Sequence, residues 1–403
     1  MPQKDNTDIV ILALTRSDAP YSSTTTSLAK EFSKNQRVFL IDNPITWAFA
    51  VKNFNSPVVK NRIKSFFGFK YTRSWGNDNL IVITMPLMLP INFLPAGKWY
   101  DRLAKINDWL FLRRLKKVFK KFEINEFLYL NFFNPFYTPH FPKSLQPKVN
   151  AYYTLDDISQ SAYISKHGPR LEKRAFEASQ IGFGTSKMLT KNNKEFTPIM
   201  RYLPNAANID LFRRKSDDSY SLPEEYKGIE KDIIVFTGHL DVRNDEEIID
   251  KIAEAFKNKM LVIVGPVSWN DKQLDRLTKH GNVLFTGSKQ IEELPNYLYY
   301  AKCAIIPFKC NKLTNSIYPL KINEYLAAGL PVVSTPFSED IQTFADVISI
   351  ESTPEAFVEA IAQEILNDNE ELIEKRIRCA ESNSWSSRAQ SLRQYIEEVN
   401  TSS

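Results

Sequence analysis

Cysteine, histidine and glycine are all scarce in this chain of 403 residues, and each scarcity excludes something. The three cysteines, Cys303, Cys310 and Cys379, are odd in number and lack framework spacing. That argues against a disulfide-stapled secreted protein and for a reducing, cytoplasmic setting. There is no C-x-x-C pair, and the four histidines (His140, His167, His239 and His280) stand far apart, so no zinc motif is present. Glycine numbers 12, under half of the usual ~7%. No G-x-G-x-x-G occurs, which weighs against an NAD or FAD enzyme, and no G-x-x-x-x-G-K-S/T, which weighs against a P-loop ATPase. Long apolar runs are missing as well. Residues 80–95 are the greasiest stretch, short of the ~20 residues of a spanning helix and interrupted by Pro86, Pro90 and Pro95. The N-terminal MPQKDNTDIV lacks the charged-then-apolar pattern of a signal peptide.

What is present is the balance of a globular protein, 43% apolar and 25% charged. The length suits two domains of ~200 residues. A net charge of +5 hides an asymmetry: residues 1–205 carry 30 Lys and Arg against 15 Asp and Glu, while residues 206–403 carry 22 against 32. A first half this basic is expected to face something anionic. Its excess sits in two places. Residues 52–73 carry six basic residues and no acid, interleaved with Phe54, Phe66, Phe67, Phe69 and Tyr71. Residues 98–123 carry nine basic residues against three acids, around Trp99, Trp109, Phe111 and Phe119. The second segment predicts an amphipathic helix with Leu103, Ile106, Leu110, Leu115 and Phe119 as its apolar positions. Such a helix suits a solvated surface, the headgroup region of an anionic membrane, or a polyanion. No named nucleic-acid motif accompanies it, and no nucleic-acid partner is expected.

Apolar strand-like runs alternate with helical periodicity, the pattern of α/β layers with parallel sheets. In the first half, strands are predicted at 8–14, 37–42, 80–84, 126–131, 149–155, 180–184 and 199–203, and helices at 22–34, 99–121, 169–178 and 186–193. Residues 213–230 are polar and aperiodic and read as a linker. A second series predicts strands at 232–237, 261–264, 282–286, 303–307, 331–334 and 347–350, with helices between them and three more at 354–368, 370–380 and 385–399. Two successive doubly wound, Rossmann-like domains result, 1–208 and 231–384, with a linker at 209–230 between them and a further helix at 385–403. Gly238, Gly265 and Gly287 each follow a predicted strand of the second half, the carboxyl edge where open α/β sheets hold ligands.

The densest chemical signal is residues 303–336. A buried strand ends, a polar loop follows, and a helix starts near Pro319. Free N–H groups of residues 314–318 and the helix dipole suit a diphosphate. Lys321 and Glu324 share a helix face, the one for phosphate, the other to accept hydrogen bonds from vicinal hydroxyls such as those of a ribose.

This stretch, P-x-K-x-x-E-Y-L-A-x-G-x-P-V-V over 319–333, resembles the donor-site signature of GT-B glycosyltransferases, specifically retaining family four and its teichuronic-acid-type branch. Four further segments are similar to elements of that family, in the same order: YTLDDIS at 153–159, LPNAANIDLF at 203–212, FTGHLDVRND at 236–245 and WSSRAQSLRQY at 385–395. Three departures stand out. Ser316 occupies the position of the family's first glutamate, Pro204-Asn205-Ala206 replaces Pro-Asn-Gly, and Asp156-Asp157 replaces the cleft His-Asp.

The resemblance implies a GT-B fold with a cleft between the two domains and the final helix, 385–403, returning to the first, and a retaining glycosyltransferase of cell-surface polysaccharide synthesis. It would move a sugar from a nucleoside-diphosphate donor to a glycan or lipid-linked acceptor, without metal or other cofactor. Donor residues would be Gly238, His239, Arg243, Ser316, Ile317, Tyr318, Pro319, Leu320, Lys321 and Glu324, with Asp156, Asp157, Arg243 and Lys321 at the chemistry. Paired aspartates also suit hydroxyl binding or a helix cap near Ser159. The expected location is cytoplasmic, on the inner membrane face through the basic first domain. Two other readings stay open, a sugar-nucleotide epimerase on the same fold and a catalytically silent scaffold.

Overall fold

A computed structural model describes residues 7–17, 23–67, 71–137, 140–160, 164–215 and 219–401. The chain forms two compact units, Met1–Pro204 with Arg388–Ser403, and Asn205–Ser387. Phe69 and Lys70 of the basic segment, and the predicted helix start at Ser22, lie outside the described residues.

Unit 1 is built on eight strands: β1 Asp8–Ala13, β2 Val38–Ile41, β3 Thr72–Trp75, β4 Asn77–Ile83, β5 Phe127–Phe132, β6 Val149–Thr154, β7 Ile181–Gly184 and β8 Met200–Tyr202. They lie in the order β3-β4-β2-β1-β5-β6-β7-β8, all parallel except β3, which runs antiparallel to β4. Strand β1 is buried along its whole length, as expected when helices cover both faces of a parallel sheet. The order reverses between β1 and β5, and the loops there are tied by Asn134, whose side-chain amide donates to the Ala13 carbonyl at 2.9 Å.

The sequence reading omitted β3 and the helices Trp47–Lys52 and Pro57–Phe66. The first helix is capped by Thr46, which accepts from the Phe49 amide, and the second opens on a proline. Both are short on buried apolar residues, so periodicity did not expose them. Helix Lys98–Phe122 forms as expected, with Leu115 and Phe119 buried and Leu103 and Leu110 packed against core clusters, but Ile106 departs from the predicted face. Its buried side is Tyr100, Asn107, Phe111, Arg114, Leu115, Val118 and Phe119, while Ile106 is 44% exposed. Asn107 takes a core position because its amide bonds both N–H and C=O of Leu89. Arg114 does so because it donates to Ser65 and lies over the Tyr71 ring. Residues of the final helix Trp385–Thr401 from Arg388 onward belong to unit 1. There Arg388 donates to the Pro204 carbonyl at 3.0 Å and Arg393 stacks over Phe32.

Unit 2 holds β9 Asp232–Thr237, β10 Lys259–Val264, β11 Val283–Gly287, β12 Ala301–Ile306, β13 Val332–Ser334 and β14 Ser349–Ile350, in the parallel order β11-β10-β9-β12-β13-β14. Alternate residues feed two cores. Ile233, Val235, Ala304 and Ile306 pack on one face, and Ile234, Phe236, Cys303 and Ile305 on the other. The described residues of 209–230, expected as a linker, are anchored in this unit: Ile209, Phe212 and Tyr226 are buried in its core. Ile209 and Phe212 share the one-turn helix Ile209–Phe212, too short for its periodicity to show, and Tyr226 stands alone among polar neighbours. The turn at Pro204-Asn205-Ala206 needs no left-handed residue, since neither Asn205 nor Ala206 has positive φ.

Candidate functional site

Strand order in unit 2 reverses between β9 and β12, and the loops leaving these strands are stitched together. Asp245 N–H donates to the Pro307 carbonyl and Lys309 N–H to the Arg243 carbonyl, both at 2.7 Å. This is the switch point at which open α/β sheets bind ligands. Gly238 leaves β9 with φ +146° and its N–H bonded to the Val264 carbonyl. Gly265, at the end of β10, approaches so closely that a β-carbon on it would lie 2.0 Å from the Gly238 carbonyl oxygen.

The eight-residue helix Leu320–Ala327 enters from the β12 side with Pro319 at its N-cap, so it starts one residue later than expected. No side chain caps it. Ile322 N–H reaches the Pro319 carbonyl at 3.1 Å, while the amides of Leu320 and Lys321 belong to the first turn, whose donors lack intrahelical partners. The Tyr325 hydroxyl, fully buried, accepts from the Thr237 N–H at 2.8 Å and so anchors the helix against the end of β9. The Lys321 stem consequently lies beside Gly238: a β-carbon there would be 3.9 Å from Lys321 Cε. Lys321 Nζ meets Glu324 Oε2 at 3.0 Å, with the lysine side chain 31% exposed and the glutamate 10%. The structure thus brings Gly238, Lys321 and Glu324 together at a helix start that favours anions.

Other expected residues are differently placed. Arg243 is held by Asp241, through Nε at 2.9 Å to Oδ1 and Nη2 at 2.7 Å to Oδ2. Burial pushes the Asp241 carboxyl up, but the Arg243 hydrogen bonds outweigh it and leave the group below the ordinary carboxylate range. His239 bonds Ser268 Oγ at 2.6 Å. Ser316 is buried, with its hydroxyl donating to the Leu313 carbonyl at 2.9 Å, and both its N–H and that of Ile317 turn to the Thr314 carbonyl. The free amides expected over residues 314–318 are therefore fewer, because the short helix Lys312–Asn315 and its caps take those of Thr314, Ser316 and Ile317. Tyr318 is buried, its hydroxyl accepting from Asn323 Nδ2 at 3.1 Å.

Asp156 and Asp157 lie in unit 1, after β6. Asp157 Oδ1 accepts from Ser159 N–H at 3.0 Å and its hydroxyl at 2.6 Å, capping the turn Ile158–Gln160. Behind them is a carboxyl the sequence reading missed. Glu172 is buried and accepts from Thr154 Oγ1 at 2.8 Å and Tyr152 Oη at 3.3 Å. Burial pushes it up to about 7, against the pull of those two hydroxyls and with help from the charges of Asp157 and Asp156. Asp241 and Tyr325 were missed too, although one stands two residues before Arg243 and the other directly after Glu324. Among the described residues no group of three His, Cys, Asp or Glu is placed to hold a metal ion, and no helix is long and apolar enough to cross a membrane.

Two parallel doubly wound sheets, the second with an anion-ready helix at its switch point, define the GT-B class. Residues 231–368 match the family model described as Glycosyl transferases group 1, and this segment includes every donor residue named above. The chain is 30% identical over 133 residues to "Putative teichuronic acid biosynthesis glycosyltransferase TuaH" of Bacillus subtilis, a match covering 32% of this chain and 33% of that protein. It thus spans about a third of the curated relative. Among solved structures, sucrose-phosphate synthase from Thermosynechococcus elongatus superposes with a TM-score of 0.64 at 13% identity, covering 99% of this chain and 100% of the other. Trehalose-6-phosphate from E. coli, bound with UDP-2-fluoro glucose, gives 0.66 at 8% identity, covering 98% and 99%. The protein has the GT-B fold, and its second unit is similar to the glycosyl transferases group 1 model over residues 231–368.

Proposed function

We propose that the protein is a retaining glycosyltransferase that moves a sugar from a nucleoside diphosphate to a glycan or lipid-linked acceptor of a cell-surface polysaccharide. The carrying observation is the Lys321–Glu324 pair at the uncapped start of helix Leu320–Ala327, beside Gly238. Lys321 and the first-turn amides would take the diphosphate, and Glu324 the ribose hydroxyls. On binding, Lys321 would exchange part of its contact with Glu324 for phosphate oxygens. Arg243 would add positive potential from its clamp on Asp241. Stabilising charge on the departing diphosphate would supply most of the acceleration, without metal. The diphosphate itself would accept the proton of the attacking hydroxyl on the same face of the sugar. The teichuronic-acid relative supports a polysaccharide acceptor, and the UDP-sugar-bound neighbour supports a nucleotide-sugar donor.

The test is thermal unfolding of wild type and Glu324→Ala with a panel of nucleoside diphosphates and sugar nucleotides. A ligand at a hundredfold excess over its Kd stabilises by about 2.7 kcal/mol. A shift with one base, lost in the variant, is expected. No shift with any of them would overturn the donor site and favour a silent scaffold, the reading to which the inward-turned Ser316 hydroxyl contributes.

A further inference from the structure

We propose that unit 1 docks on an anionic phospholipid bilayer through the outward face of helix Lys98–Phe122, with Trp99, Ile106 and Trp109 entering the headgroup region. The surface carries this by itself, independently of glycosyl transfer. Among the described residues every exposed Trp and Phe lies between Trp47 and Trp109, with Trp99 70% exposed and Trp109 56%. The helix does not expose them for want of a buried side, because its other face is packed through Phe111, Leu115 and Val118.

The exposed face is organised. Trp99, Arg102, Ile106, Trp109, Arg113 and Lys117 succeed one another at spacings of three or four and are all exposed, which places them on one stripe of an α-helix. Arg102 lies over the Trp99 ring at 5.4 Å and Arg113 over Trp109 at 5.3 Å. The N-terminal half of the stripe thus presents indole rings, and the C-terminal half presents Arg113, Lys116, Lys117 and Lys120. Beside the basic end, a groove of about 770 Å³ carries Lys116, Lys120 and Lys143 against the single acid Glu123. The nearby acid Asp101 is neutralised by Arg170 and Arg174, each at 3.0 Å. A neighbouring helix continues the character: Pro57–Phe66, met through Arg114 and Ser65, exposes Lys60, Lys64 and the following Phe67.

This mixture selects the occupant. Indole rings are favoured at headgroup depth, and anionic lipid attracts clustered Lys and Arg. Protein interfaces, by contrast, deplete lysine where they bury aromatics.

The experiment is flotation of the full chain with vesicles of phosphatidylglycerol and phosphatidylcholine, and with phosphatidylcholine alone. Wild type is expected to float with the first and not the second, and to lose binding in about 1 M salt, where screening shortens to ~3 Å. Two variants, Trp99→Ala/Trp109→Ala and Arg113→Glu/Lys116→Glu/Lys117→Glu/Lys120→Glu, should each lower partitioning roughly tenfold or more. Wild type that does not float with the anionic vesicles overturns the proposal. So does a double tryptophan variant that still binds them within about twofold, since the face would then be an electrostatic patch for a soluble polyanion. Nucleoside-diphosphate binding by the same samples reports on unit 2 separately. Loss of one function with retention of the other therefore shows which reading has failed.

Discussion

A side chain at Gly265 meets the Gly238 carbonyl oxygen 2.0 Å away, and the residue holds φ at +150°. Gly265→Ala should therefore destabilise the protein by about 2–4 kcal/mol, from left-handed strain and displacement of the Gly238 loop. Urea unfolding measures this, and an unchanged midpoint would mean that the two loops are not mutually constrained. Tyr325→Phe removes the acceptor of the buried Thr237 N–H. A loss of about 1–3 kcal/mol is expected from the unsatisfied amide, together with weaker nucleoside-diphosphate binding because the Lys321 helix is no longer pinned to β9. A Tyr325→Phe protein of unaltered stability and affinity would refute that anchoring role. Lys321 and Glu324 were legible because a three-residue spacing on a helix fixes a shared face. The Asp241 clamp on Arg243 was not, because nothing in D-x-R says which way a loop folds a guanidinium.

Helix Lys98–Phe122 separates what an element's composition states from what its packing chooses. Amphipathicity was plain, yet the buried stripe runs through Asn107 and Arg114 and leaves Ile106 outside. Polar residues hold those positions because Leu89 and Ser65 present backbone groups to them, a fact of neighbours rather than of local sequence. Phe111→Ala is expected to cost about 3–5 kcal/mol as a core truncation. Trp109→Ala should change stability by less than about 0.5 kcal/mol. Comparable losses in chemical denaturation would show that the faces are wrongly assigned. Strand β3 escaped notice for a related reason: four half-exposed residues become a strand only through pairing with β4.

At the scale of the molecule, Glu172 couples the stability of unit 1 to pH. Its carboxyl titrates near the ordinary glutamate value of 4.5 when unfolded and is pushed up to about 7 when folded. Below the lower value both states hold the proton and nothing is lost. Between the two, the folded protein keeps a proton the unfolded chain has released, so stability falls as pH rises, by on the order of 3 kcal/mol in all. Glu172→Gln should flatten this decline between about pH 5 and 8. A wild-type profile with no fall in that window would show that the group is not held neutral. The charge asymmetry belongs to this scale too, but it named only a sign. The membrane reading needed the outward stripe, which exists only once the helix has chosen its buried side.

The sequence by itself determined the α/β class, the two series of strands and the Lys321–Glu324 pair, because periodicity and helix spacing are local properties of the chain. The few glycines also marked the carboxyl edge of the second sheet, since Gly238 and Gly265 stand where backbone must pass backbone. Only the tertiary structure decided that the described residues of 209–230 are anchored in unit 2, that Arg243 is bound by Asp241 and Ser316 turns inward, and that Glu172 is buried behind Asp156 and Asp157. Each of these outcomes depends on which groups distant in sequence arrive to satisfy a buried charge or hydrogen bond, and a single chain read end to end does not contain that information in local form.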